Sequence, residues 1–139
     1  MTVIITTNEP KRIRELFANR LEVPMNFDIM LLTKSGKIGI ERKKVPDDLL
    51  SSVTDGRLKR EISAMRQECS IQIVLLHGKI SYDSRDFVDF GRKKASTHGW
   101  NMKGVTNLIR TIRYVEGCYV EEANTNRDLV GVVNDLQEY

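Results

Sequence analysis

Apolar residues along the chain change period several times, and each change marks an element. Val3-Ile4-Ile5-Thr6 is a β-branched run and predicts a short buried strand. Pro10 suits the first turn of a helix, which Ile13, Leu16 and Phe17 carry on one face to about Arg20. Residues 27–32 predict a second strand, Ser35-Gly36 a turn, and residues 37–42 a third strand. Pro46, with Asp47 and Asp48 at the positive end, opens a short helix to about Val53. After the Asp55-Gly56 break, Leu58, Ile62 and Met65 space as one helical stripe. Ile71 to Leu76 is apolar at nearly every position and predicts an interior strand. Residues 77–98, rich in charge and broken by Gly78 and Gly91, predict a long loop with some helix. Residues 103–114 predict a helix, residues 118–120 a short strand, and residues 126–137 a closing helix with Leu129, Val132, Val133 and Leu136 inward. Strands interleaved with helices predict a three-layer α/β architecture, a central mixed sheet flanked by helices.

Composition narrows the class. At 139 residues, with 40% apolar and 29% charged residues, the chain fits one folded domain rather than a disordered segment. No apolar run approaches the ~18–20 residues of a membrane span. The start, MTVIITTNEP, lacks the basic-then-apolar order of a signal peptide. Cys69 and Cys118 are too few for a disulfide framework or a thiolate metal site, and both adjoin apolar runs. Reduced, packed thiols and an intracellular setting are expected. The net charge of +3 hides an uneven distribution. Residues 34–66 hold nine basic and five acidic residues, residues 85–115 seven and two, and residues 116–139 one and six. Two basic segments meeting on one face would suit a nucleic-acid backbone, whereas unrelated solvated faces would explain them as well.

The stretch FDIMLLTKSGKIGIERKKVPDD, residues 27–48, carries the chemistry. If its strands form a hairpin about Lys34-Ser35, Ile29 opposes Ile40 and Leu31 opposes Ile38, and all four share one apolar face. That register sets Asp28 against Glu41 on the other face. Opposed side chains have Cβ atoms about 4.5–5.5 Å apart, and two like charges there are destabilising unless a cation joins them. Oxygen ligands suit Mg²⁺ or Mn²⁺, and Mg²⁺ commonly takes one or two carboxylates with water and substrate phosphate. Lys43 lies two residues beyond Glu41, so it shares that face, while Arg42 points to the opposite one. An ammonium there would orient an attacking water or offset charge on a phosphate. Asp47 falls at the start of the next helix. An exposed hairpin edge with ordinary charges is the plain alternative.

Glu41-Arg42-Lys43, three residues, then Asp47 resembles the ERK-x3-D motif of the XPF-type endonuclease family, the ERCC-type nuclease domain. Asp28 sits where that family has the Asp of its Gly-Asp-Tyr strand. Leu49-Leu50-Ser51-Ser52 and Asp55-Gly56-Arg57-Leu58 are similar to its following helix and turn. The resemblance is specific over residues 38–58 and a matter of pattern elsewhere. It implies a restriction-endonuclease-like PD-(D/E)XK core. It also implies Mg²⁺-dependent cleavage of DNA phosphodiesters, usually at branched, flapped or junction structures, in the setting of DNA repair or recombination. Carried over, Asp28 and Glu41 would be metal ligands, Lys43 the catalytic lysine, and Arg42 and Asp47 supporting residues. Family members dimerise through this domain, commonly burying C-terminal helices, so a homodimer or heterodimer is expected.

Two departures qualify the likeness. The family's first strand ends Asp-x-Arg-Glu, whereas here Thr6-Thr7-Asn8-Glu9 keeps only the Glu, and Glu9 is a candidate substitute support. Phe27 also replaces the family's Gly. Relatives commonly add a tandem helix-hairpin-helix module, for which 139 residues leave no room. DNA targeting is then expected from dimerisation or from an accessory DNA-binding protein. Arg57, Lys59 and Arg60, and the cluster Arg92, Lys93 and Lys94, are candidate phosphate contacts. Trp100 fits a packed helix leader better than a base-stacking platform, and His77 and His98 fit structural roles. The leading expectation is a Mg²⁺-dependent endonuclease. The alternative is a catalytically silent DNA-binding subunit of the same fold, since family heterodimers include inactive halves. A protein-interaction domain unrelated to nucleic acid stands third.

Overall fold

The computed structural model of the chain describes residues 1–91 and 99–139. Its strands are β1 (Val3–Thr6), β2 (Arg20–Val23), β3 (Ile29–Thr33), β4 (Gly36–Lys44), β5 (Ile71–His77), β6 (Ser81–Tyr82), β7 (Val88–Asp89) and β8 (Tyr119–Ala123). Its helices are α1 (Lys11–Arg14), α2 (Asp47–Thr54), α3 (Arg57–Glu68), α4 (Met102–Arg110) and α5 (Asn126–Gln137), with a π-helical turn, Thr111–Val115, closing α4. Six strands form one mixed sheet in the order β2-β1-β3-β4-β5-β8. The β3–β4 hairpin has the register that the apolar alternation selects, Ile29 against Ile40 and Leu31 against Ile38. Strand β4 also pairs in parallel with β5, so it is interior on both edges.

Alternation sorts the sheet's side chains into two cores. Ile5, Ile29, Leu31, Ile38, Ile40, Ile73 and Leu75 pack on one side with Leu129, Val133 and Leu136 of α5. On the other side Val74 and Leu76 meet Leu49 and Leu50 of α2, Leu58, Ile62 and Met65 of α3, and Val105 of α4. Each fully buried aliphatic side chain contributes about 1.5–3 kcal/mol by leaving water. The architecture is thus the expected three-layer α/β sandwich with a mixed sheet. Both thiols are free and buried. Among the described residues, no helix is long and apolar enough to cross a membrane.

Two local expectations change. The first helix ends after one turn at Arg14. Phe17 then enters the core, and the chain returns as β2, which pairs in parallel with β1. The helical spacing of Ile13, Leu16 and Phe17 arises from a turn that tucks them inward, not from continued helix. The stretch after β5 holds the short β6–β7 ladder rather than plain loop, and residues 92–98 of the same expectation lie outside the described residues. Asp83 organises its turn by accepting from the backbone N–H groups of Arg85 and Phe87. The α5 residues expected inward, Leu129, Val132, Val133 and Leu136, pack in the chain's own core, Leu129 and Val133 completely.

Candidate functional site

The face of β4 that carries Glu41 and Lys43 looks toward α2 and α3. Strand β4 is held on both edges, so these side chains have a fixed origin. Glu41 and Lys43 are each only 2% exposed. Burial of two opposite charges is costly unless they are paired. The Lys43 ammonium lies 3.4 Å from Glu41 Oε2 and 2.7 Å from Oε1 of Glu61, which comes from α3. Burial works to lower the Lys43 pKa, but the contact with the Glu61 carboxylate and the charge of Glu41 outweigh it, and the net shift is upward.

Asp28 precedes β3 and reaches the same place. Its Oδ2 accepts the backbone N–H of Arg42 at 2.8 Å, and its own N–H donates to the Ile40 carbonyl. Its carboxyl abuts that of Glu41, as Glu61's does. Burial drives the pKa values of both Asp28 and Glu41 upward. Glu9 adds to the shift at Asp28, and Asp28 adds to it at Glu41. A pair so placed is relieved by a shared proton or by a cation. Glu41 Oε1 is buried and meets no hydrogen-bond donor.

Arg42 lies on the opposite face, as the alternation requires. Its guanidinium forks onto Glu9, Nε donating to Oε2 at 2.6 Å and Nη2 to Oε1 at 3.0 Å. Nη1 meets His77 Nδ1 at 2.9 Å. Glu9 is therefore bound to Arg42 and not aimed at the carboxylate pair. Thr6 fills the first-strand position where the resemblance expects Asp. It is buried, its N–H donates to the Asp28 carbonyl, and its hydroxyl faces the Met25 carbonyl. Asp47 begins α2 exposed and lines an open cleft with Asp48, Asp55, Phe90 and Trp100. The structure thus brings Asp28, Glu41 and Lys43 together and leaves Arg42 and Asp47 outside that contact.

Of the basic candidates, Lys59 and Arg60 are exposed on α3. Arg57 is drawn back onto Asp55 at 2.7 Å and Asp48 at 3.7 Å. Trp100 packs partly buried beside the α3–α4 core. Arg92, Lys93, Lys94 and His98 lie outside the described residues. Glu61 is the participant that sequence reasoning missed. Its only signal is its place one residue before Ile62 of the α3 stripe, at the border of the buried face. Among the described residues, no group of three or more His, Cys, Asp or Glu side chains is arranged to hold a metal ion.

A family model described as the ERCC4 domain matches residues 2–136. No curated protein sequence matches the chain. Several solved structures share its fold, two of which show the likeness. One is XPF from Aeropyrum pernix, 18% identical with a TM-score of 0.66, covering 99% of this chain and 63% of that one. The other is XPF from Aeropyrum pernix in complex with DNA, 17% identical with a TM-score of 0.61, covering 98% and 62%. The chain therefore spans less than two thirds of the length of either.

Proposed function

The chain belongs to the ERCC4 domain family, and on that premise we propose that it is a DNA-binding domain of this nuclease fold. The observation that carries the reading is the likeness in fold to a structure described as XPF in complex with DNA. The exposed cations Lys59 and Arg60 on α3 supply phosphate contacts. Two features favour binding without cutting. Thr6 stands where the family pattern has Asp, and no third ligand joins Asp28 and Glu41 among the described residues. Dimerisation and an accessory DNA-binding protein belong to the same proposal.

A second reading, Mg²⁺-dependent endonuclease, is favoured by Glu41 Oε1, a buried carboxylate oxygen with no donor. The donor set fits the ion, because Mg²⁺ or Mn²⁺ accepts two carboxylates, here Asp28 and Glu41, with water and phosphate completing its shell. When bound, such an ion supplies Lewis-acid polarisation of a phosphodiester and a more acidic water. Lys43 holds a positive charge 3.4 Å from Glu41, where it offsets negative charge gathering on phosphate. Buried protein on every side of Lys43 keeps water from screening it.

One panel separates the readings. Labelled duplex, flap, fork and four-way-junction DNA are incubated with the protein, with and without Mg²⁺, and both binding and cutting are measured. Salt-sensitive binding with no Mg²⁺-dependent cutting supports the silent domain. Cutting that Glu41→Ala and Lys43→Ala abolish supports the endonuclease. Absence of binding to any of these DNAs at low salt overturns both.

A further inference from the structure

Lys43 is held by two carboxylates, but not equally. Its ammonium is 2.7 Å from Glu61 and 3.4 Å from Glu41. With the side chain 2% exposed, it has no water to fall back on, so the closer partner decides where the charge rests. Glu61 is itself fixed, because Leu58, Ile62 and Met65 bury the same helix face and tie α3 to the sheet. Glu41 Oε1 and Glu61 Oε1 are both buried without a hydrogen-bond donor, so the 2.7 Å approach of the ammonium to Glu61, against 3.4 Å to Glu41, is what sets the two carboxylates apart.

We infer that Glu61 is a positioning residue: it draws the Lys43 ammonium aside and so keeps Glu41 open to a divalent cation. This rests on the cation-dependent reading of the site. Without the Glu61 carboxylate, Glu41 becomes the remaining buried anion in contact with the ammonium. Lys43 then closes onto Glu41 as an internal cation and competes with the ion. Glu61 thus acts through Lys43 and not as a ligand.

The test is Mn²⁺ binding, followed by electron paramagnetic resonance and calorimetry, which needs no DNA and no turnover. Wild type binds. Glu61→Ala weakens binding on the order of tenfold, the scale on which groups that orient ligands act, and the near-isosteric Glu61→Gln weakens it less. Adding Lys43→Met to Glu61→Ala restores affinity, because the competing ammonium is gone. Asp48→Asn, which removes a nearby carboxylate that acts on Lys43 only at a distance, changes affinity little. Equal binding by wild type and both Glu61 variants overturns the inference alone. So does a loss that Lys43→Met fails to restore, or one that Asp48→Asn reproduces. Wild type that binds no Mn²⁺ overturns the cation-dependent reading and the inference with it.

Discussion

Arg42 points Nη1 at Nδ1 of His77 across 2.9 Å, and a guanidinium has only hydrogens to offer. Nδ1 must therefore accept, and the His77 proton must reside on Nε2, on the side of Thr125 and Asn126 at the start of α5. Burial, then the Arg42 charge, lowers the His77 pKa, against opposing pulls from Thr125, Glu9 and Asn126. The sign follows. A histidine whose folded pKa is depressed stabilises the fold above its unfolded pKa near 6.5, and that contribution fades as pH falls through and below that value. Imidazole ¹⁵N shifts are expected to report the Nε2–H form at pH 7. His77→Gln is expected to flatten the acid limb of thermal stability between pH 7 and pH 5. An Nδ1–H form, or an unchanged acid limb, contradicts this arrangement.

The carboxylate pair gives the opposite slope. Asp28 and Glu41 bind protons more tightly in the folded chain, because burial raises both pKa values, with the charge of Glu9 adding at Asp28 and that of Asp28 adding at Glu41. Their cost is absent below the unfolded values near 4 and grows as pH rises toward the folded ones. Asp28→Asn keeps an oxygen for the Arg42 N–H and removes one charge. It is expected to stabilise the protein by about 1–3 kcal/mol at pH 7–8, at ~1.4 kcal/mol per pKa unit removed, and by almost nothing near pH 4. Thermal melts of both proteins across that range check it.

How much of this was legible depended on how far apart the partners lie in sequence. The β3–β4 register follows from four isoleucine and leucine positions within one hairpin, so local alternation suffices to bring Asp28 to Glu41. The last helix matches its expected bounds, Asn126–Gln137, and a Thr125–Asp128 capping box holds its start. Strand β2 was missed because its partner is β1 and its alternation, Leu21 and Val23 between Arg20 and Glu22, spans only four residues. Glu61 and His77 reach the site through pairings of α3 and β5 with β4. No local pattern carries such contacts, and on its own element each side chain is unremarkable. Glu9 forks onto Arg42, a contact that its strand position alone does not reveal.

Gly39 tests the close approach of α3 to the sheet beside the site. A Cβ there would stand 3.0 Å from Cys69 Sγ and 3.2 Å from Met65 Cγ, tighter than side chains normally sit. Met65 is fully buried and cannot swing into solvent. Gly39→Ala is expected to destabilise by about 1–3 kcal/mol, the usual cost of overpacking, and to disturb Lys43 by pushing α3 and its Glu61 outward. Met65→Ala in the same chain makes room and is expected to recover less than its own cavity cost would predict. Denaturant unfolding of the two single variants and the double variant measures the coupling.

Charge on α3 makes the proposed DNA contact measurable. Lys59 and Arg60 follow Gly56, whose φ of +81° lets α3 start abruptly, and both side chains are exposed on its first turn. Arg57 differs, because Asp55 and Asp48 already hold its charge, so its release to phosphate would break existing pairs. If α3 lies along a DNA backbone, Lys59→Ala and Arg60→Ala each remove about one phosphate contact. The slope of log affinity against log salt then falls by ~1 for each, and duplexes of different sequence weaken alike, since phosphate contacts carry no base information. Arg57→Ala is expected to change the slope by less than either. Fluorescence anisotropy with labelled duplex between 50 and 200 mM salt resolves these differences. Unaltered slopes in both the Lys59 and Arg60 variants would move the binding face away from α3, whatever the protein does at Asp28 and Glu41.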